Sequence, residues 1–533
     1  MQRLCLLFTL FIILTGCSAP QQVEFPEPNL EEAIRSRLGF KADKQIHAKH
    51  LNKIIKLYAS SDAISNLSGL EKMTNLMELN LYNNKVSDLT PLSGLQNLRI
   101  LELGNNQISD LNPLSELTNL NQLFLQHNFF EDISPLRSLT GLKHLDLTRN
   151  GLGDITHLNG LTQLNRLLLS GNRIIDLAPL QSLTGLKHLD LTRNGLGDID
   201  QLNRLTQLNV LLLSDNRISD LTPLRSLTGL THLDLTRNGL GTIAHLNGLT
   251  QLNKLILADN KITDLTPLAE LKKLTELNVR SNFISDLTPV REMVQLQELD
   301  MGDNGISDLT PFRELKNLTV LNLSSNQISD LSPLAGLINL TDLSLRFNKN
   351  ISDLMPLSDM QLLKHLFISV KNISDFTPLA ALSSLNYLDI SGSEFDDLAV
   401  LIQTLTEMDN LKSIAIDGCN ITDITPLREL KQLTGLSLSS NQISDITPLS
   451  ELTNLEWLHL NNNQIKDISP LKGLTALEYL SLMHNQITDI NVLASLPNLR
   501  QAFLQVNRIY NTEQVQEILE QNQILDLRTK PNR

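Results

Sequence analysis

Aromatic residues and cysteines are scarce in this chain of 533 residues. Phe, Trp and Tyr together make up 4% of the sequence, with one Trp, so a folded core must be built from aliphatic side chains. The cysteines, Cys5, Cys17 and Cys419, are too few for a disulfide framework, so packing has to supply the stability. Cationic residues are outnumbered, and the net charge of −14 argues against nucleic acid or anionic membrane surfaces as partners.

Sequence motifs typical of enzymes are also missing. The chain contains no GxSxG, no HExxH, no phosphate-binding loop and no paired-cysteine motif. His-x-Asp pairs occur in three near-identical blocks of 44 residues, at His144/Asp146, His188/Asp190 and His232/Asp234. Equivalent pairs lie two repeats apart, roughly 10 Å, which favours solvated surface polarity over a metal site. We therefore expect no enzyme activity, no metal and no cofactor.

The first residues have the pattern of an export signal. Arg3 precedes an apolar run from Leu4 to Leu14 that is too short to span a bilayer. The run ends in Leu14-Thr15-Gly16-Cys17, which resembles the lipobox of bacterial lipoproteins. That resemblance implies cleavage after Gly16 and lipidation of Cys17; the alternative is an ordinary signal with a chance cysteine. In a diderm host, Ser18 favours the outer membrane or cell surface.

A 22-residue repeat begins at residue 51 and follows the pattern LxxLxxLxLxxNxIxDLxPL. We call its Asn the ladder position. Asn occupies it at 84, 106, 128, 150, 172, 194, 216, 238, 260, 282, 304, 326, 348, 441, 463, 485 and 507. Asp62, Lys371, Ser393 and Cys419 hold it in the other repeats, which gives about 21 in all.

Each position of the repeat has a physical role, which the copy around Asn106 illustrates. Leu101 and Leu103 alternate with period two, as expected of a short inward-facing strand. Asn106 is placed to satisfy backbone groups that would otherwise be buried without partners. Asp110 and Pro113 suit the start of a short segment on the other side of the repeat. No repeat can bury its leucines alone, so stacking creates the fold.

The Asn-x-Ile-x-Asp-Leu/Ile-x-Pro-Leu motif, found for example from Asn326 to Leu334, resembles the repeat of the internalin family of bacterial surface proteins. It also resembles the repeat of a eukaryotic phosphatase-1 regulatory subunit. The resemblance implies an α/β solenoid, a leucine-rich-repeat curved rod. A parallel sheet would line its concave face, and short 3-10 or irregular segments its convex face.

The domain boundaries follow from the repeats and their ends. Residues 1–16 are the expected lipoprotein signal peptide and 17–27 a lipidated tether. Residues 28–50 are an N-terminal helical cap, with Asn29 as its expected N-cap residue and Gly39 placed to end the helix. The repeats occupy 51–510. Residues 511–533 form a C-terminal helical cap and tail, the helix beginning at Asn511 or Thr512.

The repeats are irregular between Asn348 and Cys419. One residue is inserted after Asn348, and the repeat containing Val400–Leu405 carries four extra residues, which suits a longer helix. Two explanations fit this stretch. Either the sequence has drifted where the fold tolerates change, or the repeats change curvature locally and so shape a binding surface.

Aromatic residues gather on the concave face near the C-terminal end. Outward-facing strand positions there hold His365, Phe367, Tyr387, Trp457, His459, Tyr479, Met483 and Phe503. Exposed aromatics in a chain poor in them are candidate hot spots. The candidate ligand-binding residues are thus Trp457, His459, Tyr479, Met483, Phe503, Phe367 and Tyr387. The alternative is that these rings cover the end of the core near the cap.

The sequence therefore predicts a non-catalytic protein, lipid-anchored in a bacterial cell envelope, that recognises a protein partner of unknown identity through the concave face. A structural spacer of the envelope is the alternative. A phosphatase-regulator-like subunit conflicts with the export signal, and a hydrolase that uses a concave His and Asp lacks any supporting motif.

Overall fold

The computed structural model describes residues 22–348, 350–371, 373, 375–394, 397–509 and 526–528. The expected signal peptide (1–16), Cys17 and the C-terminal helix expected from Asn511 or Thr512 lie outside the described residues. The chain divides into two compact units. The first comprises Met1–Leu196 with Arg204–Leu208, and the second Gly197–Asn203 with Asn209–Arg533.

The first unit begins with two helices, α1 (Pro28–Leu38) and α2 (Ala48–Leu51). Its strands β1–β7 are Lys56–Tyr58, Glu78–Asn80, Ile100–Glu102, Gln122–Phe124, His144–Asp146, Arg166–Leu168 and His188–Asp190. The 3-10 helices that follow its strands are Leu70–Lys72, Thr90–Leu92, Asn112–Leu114, Ser134–Ser138, Thr156–Leu158 and Ala178–Ser182. A further 3-10 helix, Asp200–Arg204, contributes residues to both units.

The second unit contains strands β8–β22 and two α-helices. The strands are Val210–Leu212, His232–Asp234, Lys254–Ile256, Glu276–Asn278, Glu298–Asp300, Val320–Asn322, Asp342–Leu345, His365–Ile368, Tyr387–Asp389, Ser413–Ala415, Gly435–Ser437, Trp457–His459, Tyr479–Ser481, Gln501–Phe503 and Asp526–Arg528. The helices are α3 (Thr377–Ala380) and α4 (Leu398–Leu405). The 3-10 helices are Thr222–Ser226, Ala244–Leu246, Thr266–Leu268, Thr288–Val290, Thr310–Glu314, Ser332–Leu334, Met355–Leu357, Thr425–Glu429, Thr447–Glu451, Ser469–Gly473 and Asn491–Ser495.

Within each unit the strands form a parallel sheet in which equivalent residues of successive repeats are paired. Ile100 pairs with Gln122 in the first unit, and Trp457 pairs with Tyr479 in the second. The second residue of each strand from β1 to β21, such as Leu101, is buried. Its neighbours point to the opposite side, which we call the open face of the sheet. This arrangement of parallel strands and 3-10 helices confirms the predicted solenoid fold.

The ladder asparagines hold consecutive repeats together. The Asn106 amide nitrogen donates to Leu103 O of its own repeat and to Leu81 O of the preceding one, at 3.0 and 2.9 Å. Its oxygen accepts from Val86 N at 2.9 Å. These backbone groups are buried and have no strand partner, so the amide removes a desolvation cost in each repeat that has Asn at the ladder position.

The Asp-x-x-Pro segment starts the 3-10 helix on the other side of the repeat. Asp110 Oδ1 accepts from the backbone N–H of Asn112, the first residue of that helix, at 2.9 Å. Pro113 occupies the second helical position, where a missing N–H costs nothing. The expected capping role of this Asp is confirmed, although Leu111 lies between it and the helix.

Substitutions at the ladder position replace the amide in different ways. The Ser393 hydroxyl accepts from Val370 N at 2.9 Å, and the Cys419 thiol donates to Asp417 O at 3.4 Å. Lys371 is exposed and pairs with Glu394 at 2.8 Å. Helix α4 occupies the extra length that follows Ser393 in its repeat, as predicted.

At the N-terminal end, the expectation that Asn29 caps the first helix is wrong. Helix α1 begins at Pro28, whose nitrogen needs no partner, so Glu27 is the N-cap residue and Asn29 lies in the first turn. The Glu27 carboxylate instead accepts from Ser65 N and Ser65 Oγ at 3.1 and 2.9 Å, which ties the helix to the first repeat. Gly39 ends the helix with a φ of 65°.

We predict that Asn326→Ala destabilises the protein markedly. The Asn326 nitrogen donates to Met301 O and Leu323 O, both at 3.0 Å, and its oxygen accepts from Ile306 N at 3.0 Å. Alanine leaves these buried groups unpaired, which should lower the free energy of unfolding in urea by about 2–3 kcal/mol. Asn339→Ala is the control, because this exposed Asn makes one bond, to Lys316 O. Equal losses for both variants would contradict the ladder argument.

We also predict that Cys419 is inert in the folded protein. Burial raises the pKa of its thiol to about 11. In a Cys5→Ala, Cys17→Ala background, a thiol reagent at pH 8 should label the native chain at least ~100-fold more slowly than the urea-unfolded chain, because so little thiolate is exposed. Comparable labelling rates in the two states would show that the ladder thiol is accessible.

Candidate binding surface

The open face of the first unit carries acidic side chains. Glu102 accepts from Gly104 N at 3.0 Å and from Gln126 Nε2 at 3.2 Å. Burial raises the pKa of Glu102 and of Asp146, so both carboxylates are partly desolvated. Within the described residues, no three His, Cys, Asp or Glu side chains converge to hold a metal ion.

Four rings on the open face of the second unit form a continuous aromatic stripe across β19, β20 and β21. His459 lies 5.2 Å from Trp457 and 5.3 Å from Tyr479, measured between ring centroids. Phe503 lies 5.3 Å from Tyr479. All four side chains are partly exposed. We call Trp457, His459, Tyr479 and Phe503 the aromatic stripe.

The orientation of the Trp457 side chain depends on a glycine on the neighbouring strand. Gly435 pairs with Trp457 across β18 and β19. A Cβ at Gly435 would overlap the indole ring, so only glycine leaves room for it there. The indole therefore packs on the β18 backbone with one surface still open to solvent.

The stripe is partly buried, and a few polar groups, among them Asp417 and Asn461, surround it. Burial lowers the pKa of His459, so its imidazole is mainly uncharged at neutral pH. Met483 follows β20 and is partly exposed. Its backbone N–H donates to Asn461 Oδ1 at 2.8 Å, and Ser481 Oγ donates to the same oxygen at 2.7 Å. The candidate residues from Trp457 to Phe503 thus lie on one stretch of three strands.

Phe367 and Tyr387 belong to a second cluster on β15 and β16. Their ring centroids are 5.4 Å apart, and His365 lies 6.4 Å from Tyr387. The Arg346 guanidinium lies over Phe367 at 5.1 Å from its centroid, a cation–π arrangement. We call these residues the Arg346 cluster.

Two carboxylates complete this cluster. Asp389, only 2% exposed, forms an ion pair with Arg346 and accepts from Ser391 N at 2.9 Å. Asp342 Oδ1 lies 2.6 Å from His365 Nδ1. Burial also raises the pKa of the Tyr387 hydroxyl. The guanidinium is therefore fixed by an aromatic ring on one side and a buried carboxylate on another.

Beside the Arg346 cluster the open face forms a groove of about 510 Å³. Its lining includes Arg280, Asp300, Asn322, Arg346, Phe347 and Phe367. Sequence analysis found Phe367 but missed Arg346 and Asp389, because both occupy repeat positions at which polar residues are ordinary. Their pairing depends on a contact between repeats that no motif encodes.

None of the helices in the described part of the chain has the length and apolar character needed to cross a membrane.

The family model for leucine-rich repeats (two copies) matches ten stretches that together cover more than half of the chain. They are residues 74–116, 96–138, 118–160, 162–204, 206–248, 250–292, 294–336, 316–359, 409–451 and 453–495. The search of curated proteins gave no match.

Several solved structures are similar. An internalin of Listeria monocytogenes (InlF) is 36% identical, with a TM-score of 0.58 over 60% of this chain and 95% of that one. A leucine-rich-repeat protein of Leptospira interrogans is 24% identical, with a TM-score of 0.54 over 74% of this chain and 98% of that one. The plant peptide hormone receptor RGFR1 in complex with RGF2 shares the fold at 19% identity and a TM-score of 0.56, over 89% of each chain. The chain therefore belongs to the leucine-rich-repeat family, and its repeats are of the internalin type.

Proposed function

We propose that this protein is a non-catalytic binding protein that recognises a protein partner through the open face of its repeats, with the aromatic stripe as the main contact. The observation that carries the proposal is the stripe itself. In a chain with 4% aromatic residues, four rings lie in mutual contact and partly exposed on one stretch of sheet.

The chemistry of the stripe supports protein recognition. Large aromatic side chains are enriched at the energetic centres of protein interfaces, where they supply apolar area with few rotatable bonds. The stripe carries a partly buried His459 and no carboxylate among its four members, although Asp417 lies near enough to act on the pKa of His459. An apolar partner surface would therefore meet no charged side chain of the stripe itself.

The position of the stripe argues against a mere cover for the end of the core. Strands β20, β21 and β22 follow Trp457 in the sheet, so the sheet does not end at its ring. Leu458 and Leu480 alternate with the stripe residues and point to the opposite side of the sheet, where they are buried. Core protection therefore does not require the rings to remain at the surface.

The proposal places the protein on the bacterial envelope, attached through lipid on Cys17. Its support is the Leu14-Thr15-Gly16-Cys17 sequence and the similarity to internalins. Acyl chains on an N-terminal cysteine would give stable membrane attachment without a membrane-spanning helix.

We predict that Trp457→Ala weakens partner binding by about 30-fold, the effect of losing ~2 kcal/mol at a hot spot. The partner is first captured in intact cells of the source bacterium through a photo-crosslinking residue at position 479. The affinity of the captured protein for wild type and variants is then measured by calorimetry.

Phe283→Ala is the matched control. Phe283 is 65% exposed and directly follows the ladder residue Asn282, so its loss removes an exposed aromatic ring away from the stripe. Equal affinity of the Trp457 variant and wild type, with unfolding free energies unchanged, would contradict the stripe as the contact. Absence of any crosslink at position 479 would favour the structural spacer.

We predict that Cys17→Ala releases the protein from the membrane fraction and abolishes metabolic labelling with an alkyne fatty acid. Cys5→Ala is the control and should keep both properties, because the expected cleavage removes Cys5. Continued labelling of the Cys17 variant would refute the anchor without bearing on the stripe.

A further inference from the structure

The N-terminal cap reverses the charge balance of the chain. Acidic residues outnumber Lys and Arg 58 to 44 over the whole sequence. From residue 35 to residue 56, however, seven Lys and Arg side chains face one acidic residue, Asp43. The net charge of the whole chain, which argued against binding to anionic surfaces, therefore conceals a basic segment.

Several of these side chains gather around His50. Lys44 Nζ lies 3.7 Å from the centroid of the Phe40 ring, which in turn lies 5.0 Å from His50. His47 lies 5.4 Å from His50. Burial lowers the pKa of His50, and the charges of Lys49, His47, Lys44 and Lys53 lower it further, as expected in a positive local potential.

Among the described residues, the lysines of this group pair with no acidic side chain. Arg35 pairs with Glu31 at 2.7 Å and Lys56 with Glu78 at 2.6 Å, which neutralises the two ends of the basic segment. In the part of the chain that the structure describes, Lys44, Lys49 and Lys53 are exposed and form no ion pair. We call Lys44, His47, Lys49, His50 and Lys53 the basic cap surface.

The chain that leads to Cys17 leaves from this same surface. Gln22 forms an antiparallel bridge with His47, and Val23 N donates to Ile46 O at 2.9 Å. Phe25 is buried against Gly69 of the first repeat, which fixes this segment to the cap. Five peptide bonds separate Gln22 from Cys17, a reach of at most ~18 Å when fully extended.

We propose that the basic cap surface binds the anionic phospholipid headgroups of the bilayer that holds the lipid on Cys17. The location of this surface at that bilayer rests on the proposed lipid anchor on Cys17. The affinity of the surface for anionic lipid does not depend on that anchor. A lipid at Cys17 would bring the surface within reach of the headgroups, where each lysine strengthens binding by roughly fivefold. The rest of the acidic chain is repelled by the same headgroups, so the contact is confined to the cap.

The test uses the full chain with Cys17→Ala in every sample, so that no acyl chain contributes. Co-sedimentation with phosphatidylcholine vesicles containing 0–40% phosphatidylglycerol measures partitioning. Binding to neutral vesicles gives the baseline from the apolar leader, which all samples share. We expect partitioning to rise with phosphatidylglycerol and to fall in 0.5 M NaCl, because added salt screens surface charges.

Charge reversal locates the surface. Lys44→Glu, Lys49→Glu and Lys53→Glu together should lower partitioning to anionic vesicles by at least ~100-fold, because losing the three lysines alone removes three contributions of roughly fivefold each. The matched control is the triple Lys187→Glu, Lys261→Glu and Lys472→Glu, which changes the net charge equally at exposed lysines. It should retain most of the binding. Circular dichroism and urea unfolding check that both triples fold.

Three outcomes would overturn the proposal. Equal losses in the two triples would mean that net charge alone acts. Wild-type partitioning that is independent of phosphatidylglycerol would remove the lipid contact. Saturable binding to soluble heparin without binding to anionic vesicles would assign the surface to a polyanionic chain instead. None of these results bears on whether Cys17 is lipidated, which fatty-acid labelling decides separately.

Discussion

The amide at the ladder position is the interaction on which the rest of each unit depends. A repeat of 22 residues leaves the strand by a turn whose carbonyls and N–H groups are buried and unpaired. One asparagine satisfies groups of its own repeat and of the preceding one, as Asn106 does with Leu103, Leu81 and Val86. This shared bond fixes the register between repeats, and the register aligns equivalent residues of consecutive strands in columns along the sheet.

Because equivalent residues align in columns, the residues of each column determine the chemical character of the open face. Burial dictates an apolar residue, nearly always leucine, at the inward-facing second position of the strands, whereas the positions on either side are free to vary because no core contact constrains them. One substitution in each of several neighbouring repeats can therefore create a continuous surface. Trp457 and Tyr479 share one column, and Tyr479 and Phe503 bridge adjacent columns. Gly435 shows that such a surface also needs a matching change in the next repeat, where a side chain would displace the indole.

The ends of the chain follow different physics from the repeats. At the cap the periodic pattern stops, and helices α1 and α2 cover the first repeat with a segment rich in lysine. The lysines that cluster around His50 concentrate positive charge, although the net charge of the whole chain is negative. Charge is thus distributed by segment, with acidic side chains on the open face of the first unit and basic ones on its cap. Composition alone, which argued against any anionic surface, could not show this.

The strands, the ladder and the Asp-Pro turn could be predicted from the amino-acid sequence, since each depends on contacts that recur every 22 residues and leave a periodic signal. Helix α4 could be predicted because four extra residues break that period. The sequence also placed Trp457, Tyr479 and Phe503 on the open face, because their positions relative to the ladder are fixed. Which rings touch, the pairing of Arg346 with Asp389, and the start of α1 at Pro28 with Glu27 at the N-cap position emerged only from the folded chain. Each of these depends on an arrangement that occurs once in the molecule, and a single occurrence leaves no pattern in the sequence.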